Sequence, residues 1–214
     1  MQVVAFTLFP NYFDSVLGTS ILARAIRNKH IAVEIVNLRD FTTDKHKTTD
    51  DRPYGGGAGM VMKVEPIDLA LQKHGFKKGT AKEIIVLTSA KGEVFNQQKA
   101  REWHQLDRLA IICGHYEGVD ERVAQHLVDE EIRIGDYVLT GGEPAAAVMV
   151  DAVARLIPGV LGNESSTADE SHEIPGKLGH PQYTRPADYQ GWQVPEELLT
   201  GDHKKIEEWR KNER

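Results

Sequence analysis

The sequence predicts an α/β protein with a mainly parallel sheet. Three strand-like runs, the first two of them continuously apolar, alternate with segments of helical periodicity, and each is followed by glycine and small polar residues. The runs are Ile84 to Leu87, Leu109 to Cys113 and Ile132 to Leu139. Parallel strands covered on both faces read as unbroken hydrophobic stretches of this kind. In chain order, Val3 to Leu8 is β-branched and aromatic and stops at Pro10, which marks a first strand. Phe13, Val16, Leu17, Ile21, Leu22, Ala25 and Ile26 recur at helical spacing, so a helix or helix pair follows. Ile31, Val33 and Ile35 alternate as in a strand. A polar stretch from Asp40 to Arg52 leads into Tyr54-Gly55-Gly56-Gly57-Ala58-Gly59-Met60. A short helix is expected to start near Pro66, since proline suits the first helical position. Gln97 to Gln105, Asp120 to Val128 and the strongly apolar Ala145 to Leu156 complete the helices of this region. Beyond Pro158 the periodicity fades; Asn163 to His180 reads as a linker, and Asp202 can cap a last helix with Ile206 and Trp209 on one face.

The 214 residues carry a net charge of −6, with 40% apolar and 27% charged residues. That composition excludes a disordered or collagen-like chain and argues against a general nucleic-acid coat protein, while leaving room for local basic sites. Lys45, His46, Lys47 and Arg52 form one basic cluster; Lys73, His74, Lys77, Lys78 and Lys82 form another. The longest stretch free of acidic and basic side chains is Met1 to Phe13, shorter than the ~20 residues of a membrane span, and no secretory leader is expected. Cys113 is the single cysteine, so neither an internal disulfide nor a cysteine-based zinc site is expected. A cytoplasmic location, without membrane or DNA as partner, is the simplest expectation.

The glycine run at Tyr54 to Met60 lacks both the Gly-Lys-Ser/Thr ending of a phosphate loop and the G-x-G-x-x-G spacing. It is expected to be a tight loop that needs positive φ or close backbone approach. Three later loops are more telling: Thr88 to Gly92, Cys113 to Gly118 and Ile134 to Glu143 each follow a predicted strand. Ligands of open α/β sheets bind beyond the carboxyl ends of the strands, where these loops would converge on one small polar ligand.

Four segments then carry a resemblance. They are Asp50-Asp51-Arg52-Pro53-Tyr54-Gly55-Gly56-Gly57-Ala58-Gly59-Met60, Gly114-His115-Tyr116-Glu117-Gly118-Val119-Asp120-Glu121-Arg122, Ile134-Gly135-Asp136-Tyr137-Val138-Leu139-Thr140-Gly141-Gly142-Glu143 and Pro181-Gln182-Tyr183-Thr184-Arg185-Pro186. Together they resemble the bacterial tRNA (guanine-N1)-methyltransferases of the SPOUT superfamily, colinearly from Phe9 to Arg210. The resemblance implies a SPOUT-type parallel sheet with a deep trefoil knot over residues 1–161, a flexible linker at 162–180 and a small helical tRNA-binding domain at 181–214. It implies a homodimer whose sites are built from both chains. The substrate it implies is the guanosine immediately 3′ of the tRNA anticodon, read with a guanosine before it. S-adenosylmethionine is the implied donor. By position its binding falls on Thr88, Ser89, Gly92, Gly114, Glu117, Ile134, Gly135, Tyr137, Leu139, Gly141, Gly142 and Ala145. A magnesium requirement is also implied, of the weak carboxylate or substrate-ligated kind; the sequence shows no metal-ligand cluster, since His172 and His180 lack matching cysteines.

Methylating N1 of guanine requires loss of the N1 proton, for which a carboxylate near its usual pKa of ~4 is a weak base. It must act as the methyl arrives or be raised by burial. Charge then develops on O6, where a guanidinium can receive it. The family arginine maps onto Arg155. The family base precedes Ser-Phe in the linker. Here ungapped counting from Arg155 gives Glu170, ahead of Ser171-His172, whereas a one-residue gap gives Asp169. Contacts to tRNA are expected from Arg24, Lys45, Arg52, Arg155, Arg185, Lys204, Lys205 and Arg210. The chain departs from the family pattern at Ala90, at His115 in place of an arginine, at Pro144 one place early, and at Gly179-His180. These departures leave two other readings, a non-catalytic RNA-binding dimer on the same scaffold and a SPOUT methylase of another RNA.

Overall fold

In the computed structural model, described for residues 1–162, 170–172, 174 and 176–213, the chain divides into two compact units, Met1–Glu164 and Ser165–Arg214. The first unit is built on five parallel strands: β1 (Gln2–Thr7), β2 (Ala32–Asn37), β5 (Glu83–Val94), β6 (Arg108–Ile112) and β7 (Glu130–Arg133), in the order β2-β1-β6-β5-β7. Two short strands, β3 (Asp50–Asp51) and β4 (Val61–Met62), pair antiparallel around the glycine run.

Both faces of the sheet are buried along β1, β6 and the first half of β5, which is why those strands read as continuous apolar runs, whereas the edge strands β2 and β7 do not. Val3 and Ala5 pack into one core and Val4 and Phe6 into the other, as the twofold alternation of a strand requires. The first core lies under α1 (Phe13–Leu17), α2 (Ser20–Arg27), α4 (Gln97–Trp103) and α6 (Glu143–Ala154). The second lies under α3 (Val64–Lys73) and α5 (Glu121–His126). Asp120 caps α5 by accepting from Arg122 N, and Asn96 caps α4 by accepting from Lys99 N. The helix pair after β1 is broken at Gly18, whose close approach to Asp14 O ends α1, and at the extended Thr19.

Two strands differ from the sequence expectation. The run Ile132 to Leu139 stays in the sheet only as far as Arg133; the rest leaves as a loop in which Val138 is 86% exposed. Ile134 still packs against the core, but Tyr137, Val138 and Leu139 belong to a surface, a distinction that composition does not carry. Conversely, β5 extends far beyond Ile84 to Leu87. Thr88 and Glu93 are both in register with Ile132, so that Ser89, Ala90, Lys91 and Gly92 form a four-residue register shift inside one strand.

The second unit is not purely helical. A hairpin of β8 (Asp188–Tyr189) and β9 (Trp192–Gln193) turns through Gln190 and Gly191, both with positive φ as its tight turn requires. It precedes α7 (Glu196–Leu199) and α8 (His203–Asn212). Asp202 caps α8, accepting from Lys204 N at 3.0 Å. Among the described residues, no helix is long and apolar enough to cross a membrane.

Cys113, at the end of β6, is fully buried; burial pushes its thiol well above the ordinary range, and the charge of Glu143 acts in the same direction. Because the folded state holds the proton more tightly, stability is fully present below the ordinary thiol pKa. It declines as the unfolded thiol ionises above pH ~8.5. Ellman's reagent at pH 8 is therefore expected to leave the native thiol unlabelled and to react with one thiol per chain in denaturant. Cys113→Ala should remove part of the alkaline loss of stability, measured by urea titration across pH 7–10.

Candidate functional site

A cavity of about 420 Å³ opens at the carboxyl ends of β5, β6 and β7, lined by the three loops that follow or interrupt them. Its framework is a backbone junction. The Thr88 hydroxyl donates to Ile112 O at 3.1 Å and accepts from Gly114 N at 2.9 Å. Gly142 N donates to Gly114 O at 2.7 Å. A Cβ at Gly142 would overlap the Thr88 side chain, and one at Gly114 would lie 2.8 Å from Thr88 O. Glycine is needed at both because two backbones and a buried side chain share one space.

The other walls follow from equally local causes. Tyr116 takes a left-handed φ of 59°, and Gly118 N closes the turn on His115 O. That loop is tied to the glycine run by Glu117 N to Met60 O at 3.1 Å and Met62 N to Gly118 O at 2.9 Å. A Cβ at Gly59 would strike the Glu117 side chain, so this glycine lets the acidic residue fold back. The glycine run is thus the tight positive-φ loop expected of it, with Gly55, Gly56, Gly57 and Gly59 all at positive φ. In the third loop the Tyr137 ring folds over Gly135, where any side chain would collide with it. His115 and Gly141 form a bridge between the second and third loops.

Beneath the cavity, Glu143 is 3% exposed and accepts a hydrogen bond from the Thr7 hydroxyl at 2.7 Å, which ties the end of β1 to the start of α6. Pro144, displaced by one place relative to the family pattern, sits in the first turn of α6, where its missing N–H costs no helical bond. At the rim, Lys91 Nζ lies 2.5 Å from Glu121 and 3.7 Å from Glu131. Lys91 donates to the Glu121 carboxylate, and that hydrogen bond holds its ammonium above its usual pKa.

Of the residues assigned to the donor by position, Thr88, Ser89, Gly114, Glu117, Ile134, Gly135, Tyr137, Leu139, Gly141, Gly142 and Ala145 line the cavity. Gly92 does not; its Cα packs against the backbone of Glu131 and Ile132, leaving no room for a Cβ. Arg155 follows the last turn of α6, half-buried and outside the cavity lining. Glu170 is half-buried in the second unit, and Asp169 lies outside the described residues. Lys91, Glu121 and Glu131 were missed as lining residues. Lys91 and Glu121 sit inside motifs already singled out, whereas the placement of Glu131 follows from the register shift in β5 and has no sequence signal. Among the described residues, no group of three or more His, Cys, Asp or Glu side chains is placed to hold a metal ion.

A parallel sheet whose strand-end loops meet through bare backbone around a small cavity defines a ligand-binding α/β enzyme scaffold. The family described as tRNA (guanine-1)-methyltransferase TrmD matches residues 1–214. A tRNA (guanine-N(1)-)-methyltransferase from Carboxydothermus hydrogenoformans is 53% identical over 213 residues, covering 100% of this chain and 82% of its own. Relatives of the same name from Anoxybacillus flavithermus and Bacillus velezensis are each 51% identical, over 86% and 87% of their lengths. The chain belongs to the tRNA (guanine-1)-methyltransferase family.

Gly142→Ala is expected to weaken binding of S-adenosylmethionine at least ~10-fold by isothermal calorimetry, because the added methyl displaces Thr88 from the junction. Gly162→Ala, where a Cβ meets nothing within 4 Å, is the matched control and should bind as the wild type does.

Proposed function

We propose that this protein transfers a methyl group from S-adenosylmethionine to N1 of the guanosine immediately 3′ of the anticodon in tRNA, acting in the cytoplasm as a homodimer. The observation that carries the reading is the family match across the whole chain. The fit of the donor rests on the cradle of the first unit: Gly114, Gly141 and Gly142 border the cavity, at positions where a Cβ would strike Thr88, His115 or Glu143 and deform its wall. Thr88, Ser89, Gly92, Gly114, Glu117, Ile134, Gly135, Tyr137, Leu139, Gly141, Gly142 and Ala145 would hold it. Gly92 would act through the backbone approach that fixes its strand. When bound, the donor supplies an electrophilic methyl on a positively charged sulfur.

The remaining chemistry belongs to this chain. Glu170 accepts the N1 proton, which leaves the N1–H electron pair on N1 for the methyl that the bound donor would supply. Arg155 faces the charge that develops on O6. Asp169 is the rival for the base. Magnesium, implied by the same family, would be ligated by substrate and carboxylate oxygens. A deep trefoil knot in residues 1–161 is supported by the double register of β5 on Ile132 and by Gly92 lying against the Glu131 backbone. A linker at 162–180 and a tRNA-binding region at 181–214 complete the proposal. Arg24, Lys45, Arg52, Arg155, Arg185, Lys204, Lys205 and Arg210 are proposed to contact the RNA, so affinity should fall as salt rises.

Single-turnover methyl transfer to a tRNA transcript tests the assignment. Glu170→Gln should lower the rate ~10²–10⁴-fold while Asp169→Asn stays near wild type; the reverse pattern moves the base to Asp169. Arg155→Ala should cost ~10²–10³-fold. Failure of the wild type to bind S-adenosylmethionine at millimolar concentration would favour a non-catalytic RNA-binding dimer. Methylation of transcripts lacking that guanosine would point to another RNA.

A further inference from the structure

The second unit has a hollow of its own, about 450 Å³ in volume, and its lining shares no residue with the cavity of the first unit. We propose that this hollow receives a second, unstacked nucleotide of the RNA, with its base against Tyr183 and Trp209 and its phosphate on Arg185 and Arg210. The inference rests on the tRNA reading above and adds a site to it.

Three observations carry it. The first is the arrangement of rings. Trp209 meets His180 and Tyr183 edge to face, with centroids 6.2 and 6.0 Å apart and interplanar angles of 67° and 64°. Such contacts use one edge or one face of each ring and leave other faces free for a planar partner. Tyr183 is half exposed. The second is charge: Arg185 and Arg210 line the hollow and, among the described residues, no Asp or Glu does, while Lys204 and Lys205 stand six and five residues before Arg210 on α8. Guanidinium groups beside aromatic faces suit a base with its phosphate. The third is that none of the described residues from 170 to 213 is buried. Leu199 and Trp192 are 59% and 72% exposed, and even Ile206 and Trp209, on the inner face of α8, are only half-buried. Such a unit gains from a partner that covers apolar surface. An acidic peptide would satisfy the arginines but not the ring faces, and an apolar protein surface would leave the arginines unpaired. One nucleotide satisfies both, and the volume lies in the range of small-ligand sites.

The test uses the full chain and a 5′-labelled tRNA transcript in equilibrium anisotropy titrations. Tyr183→Leu keeps an apolar side chain but removes the ring and should weaken binding ~5–150-fold, the range expected for stacking one base. Tyr183→Phe should restore wild-type affinity, which shows that the hollow remains intact. Calorimetric affinity for S-adenosylmethionine should be unchanged in both variants. Ultraviolet irradiation of the wild-type complex should cross-link RNA to the segment 180–193 or to Trp209. The proposal is overturned if Tyr183→Leu binds the transcript as wild type does, or if no cross-link falls in the segment 180–193 or on Trp209. It is also overturned if the substitution changes only the sedimentation of the RNA-free protein, since the hollow would then seat a second copy of the chain. A wild type that binds the transcript while Tyr183→Leu behaves normally sinks this site alone. A wild type that binds no transcript sinks the tRNA reading with it.

Discussion

The first unit depends on the meeting of three strand ends through bare backbone at Thr88. Its hydroxyl is shared between Ile112 O and Gly114 N, and Gly142 N reaches Gly114 O at 2.7 Å. Thr88 is 7% exposed, so removing its hydroxyl would leave a nearly buried N–H unpaired, at a cost of about 1–3 kcal/mol. That is a sizeable fraction of the ~5–15 kcal/mol by which a domain is stable. The same contacts that hold the fold together therefore shape the cavity, and neither can be altered alone.

The junction rests on a closely packed support. Two apolar layers clamp the sheet, and α6 adds Ala145, Ala146, Met149, Val150 and Val153 to the core directly behind the cavity. Glu143 places a carboxylate in that dry setting, where the Thr7 hydroxyl is its partner and the elevated Cys113 thiol registers its charge. The rim is different in kind. Lys91 and its carboxylate partners are more than half exposed at Glu121, so their ion pair is screened and contributes little to stability.

The two units use opposite economies of surface. The first buries both faces of its sheet, whereas the described part of the second buries no residue and keeps its aromatic side chains half in solvent. A scaffold that must hold a small molecule in one geometry gains from close packing. A surface that meets a large polyanion gains from exposed rings and cations, which form their contacts only in the complex.

Local signals in the chain determined a good deal. Unbroken apolar runs marked buried parallel strands, Asp120 and Asp202 marked helix starts, and glycines at strand ends marked the three loops. Those signals act over a few residues, through φ preference, capping and side-chain alternation. The order β2-β1-β6-β5-β7, the double use of Ile132 by β5 and the approach of Glu131 to the cavity were decided by tertiary structure. So was the exposure of Val138, which reads as core and is surface. These features join residues tens of positions apart. They are set by which backbones can share space once the core has formed, and local propensity contains no term for that.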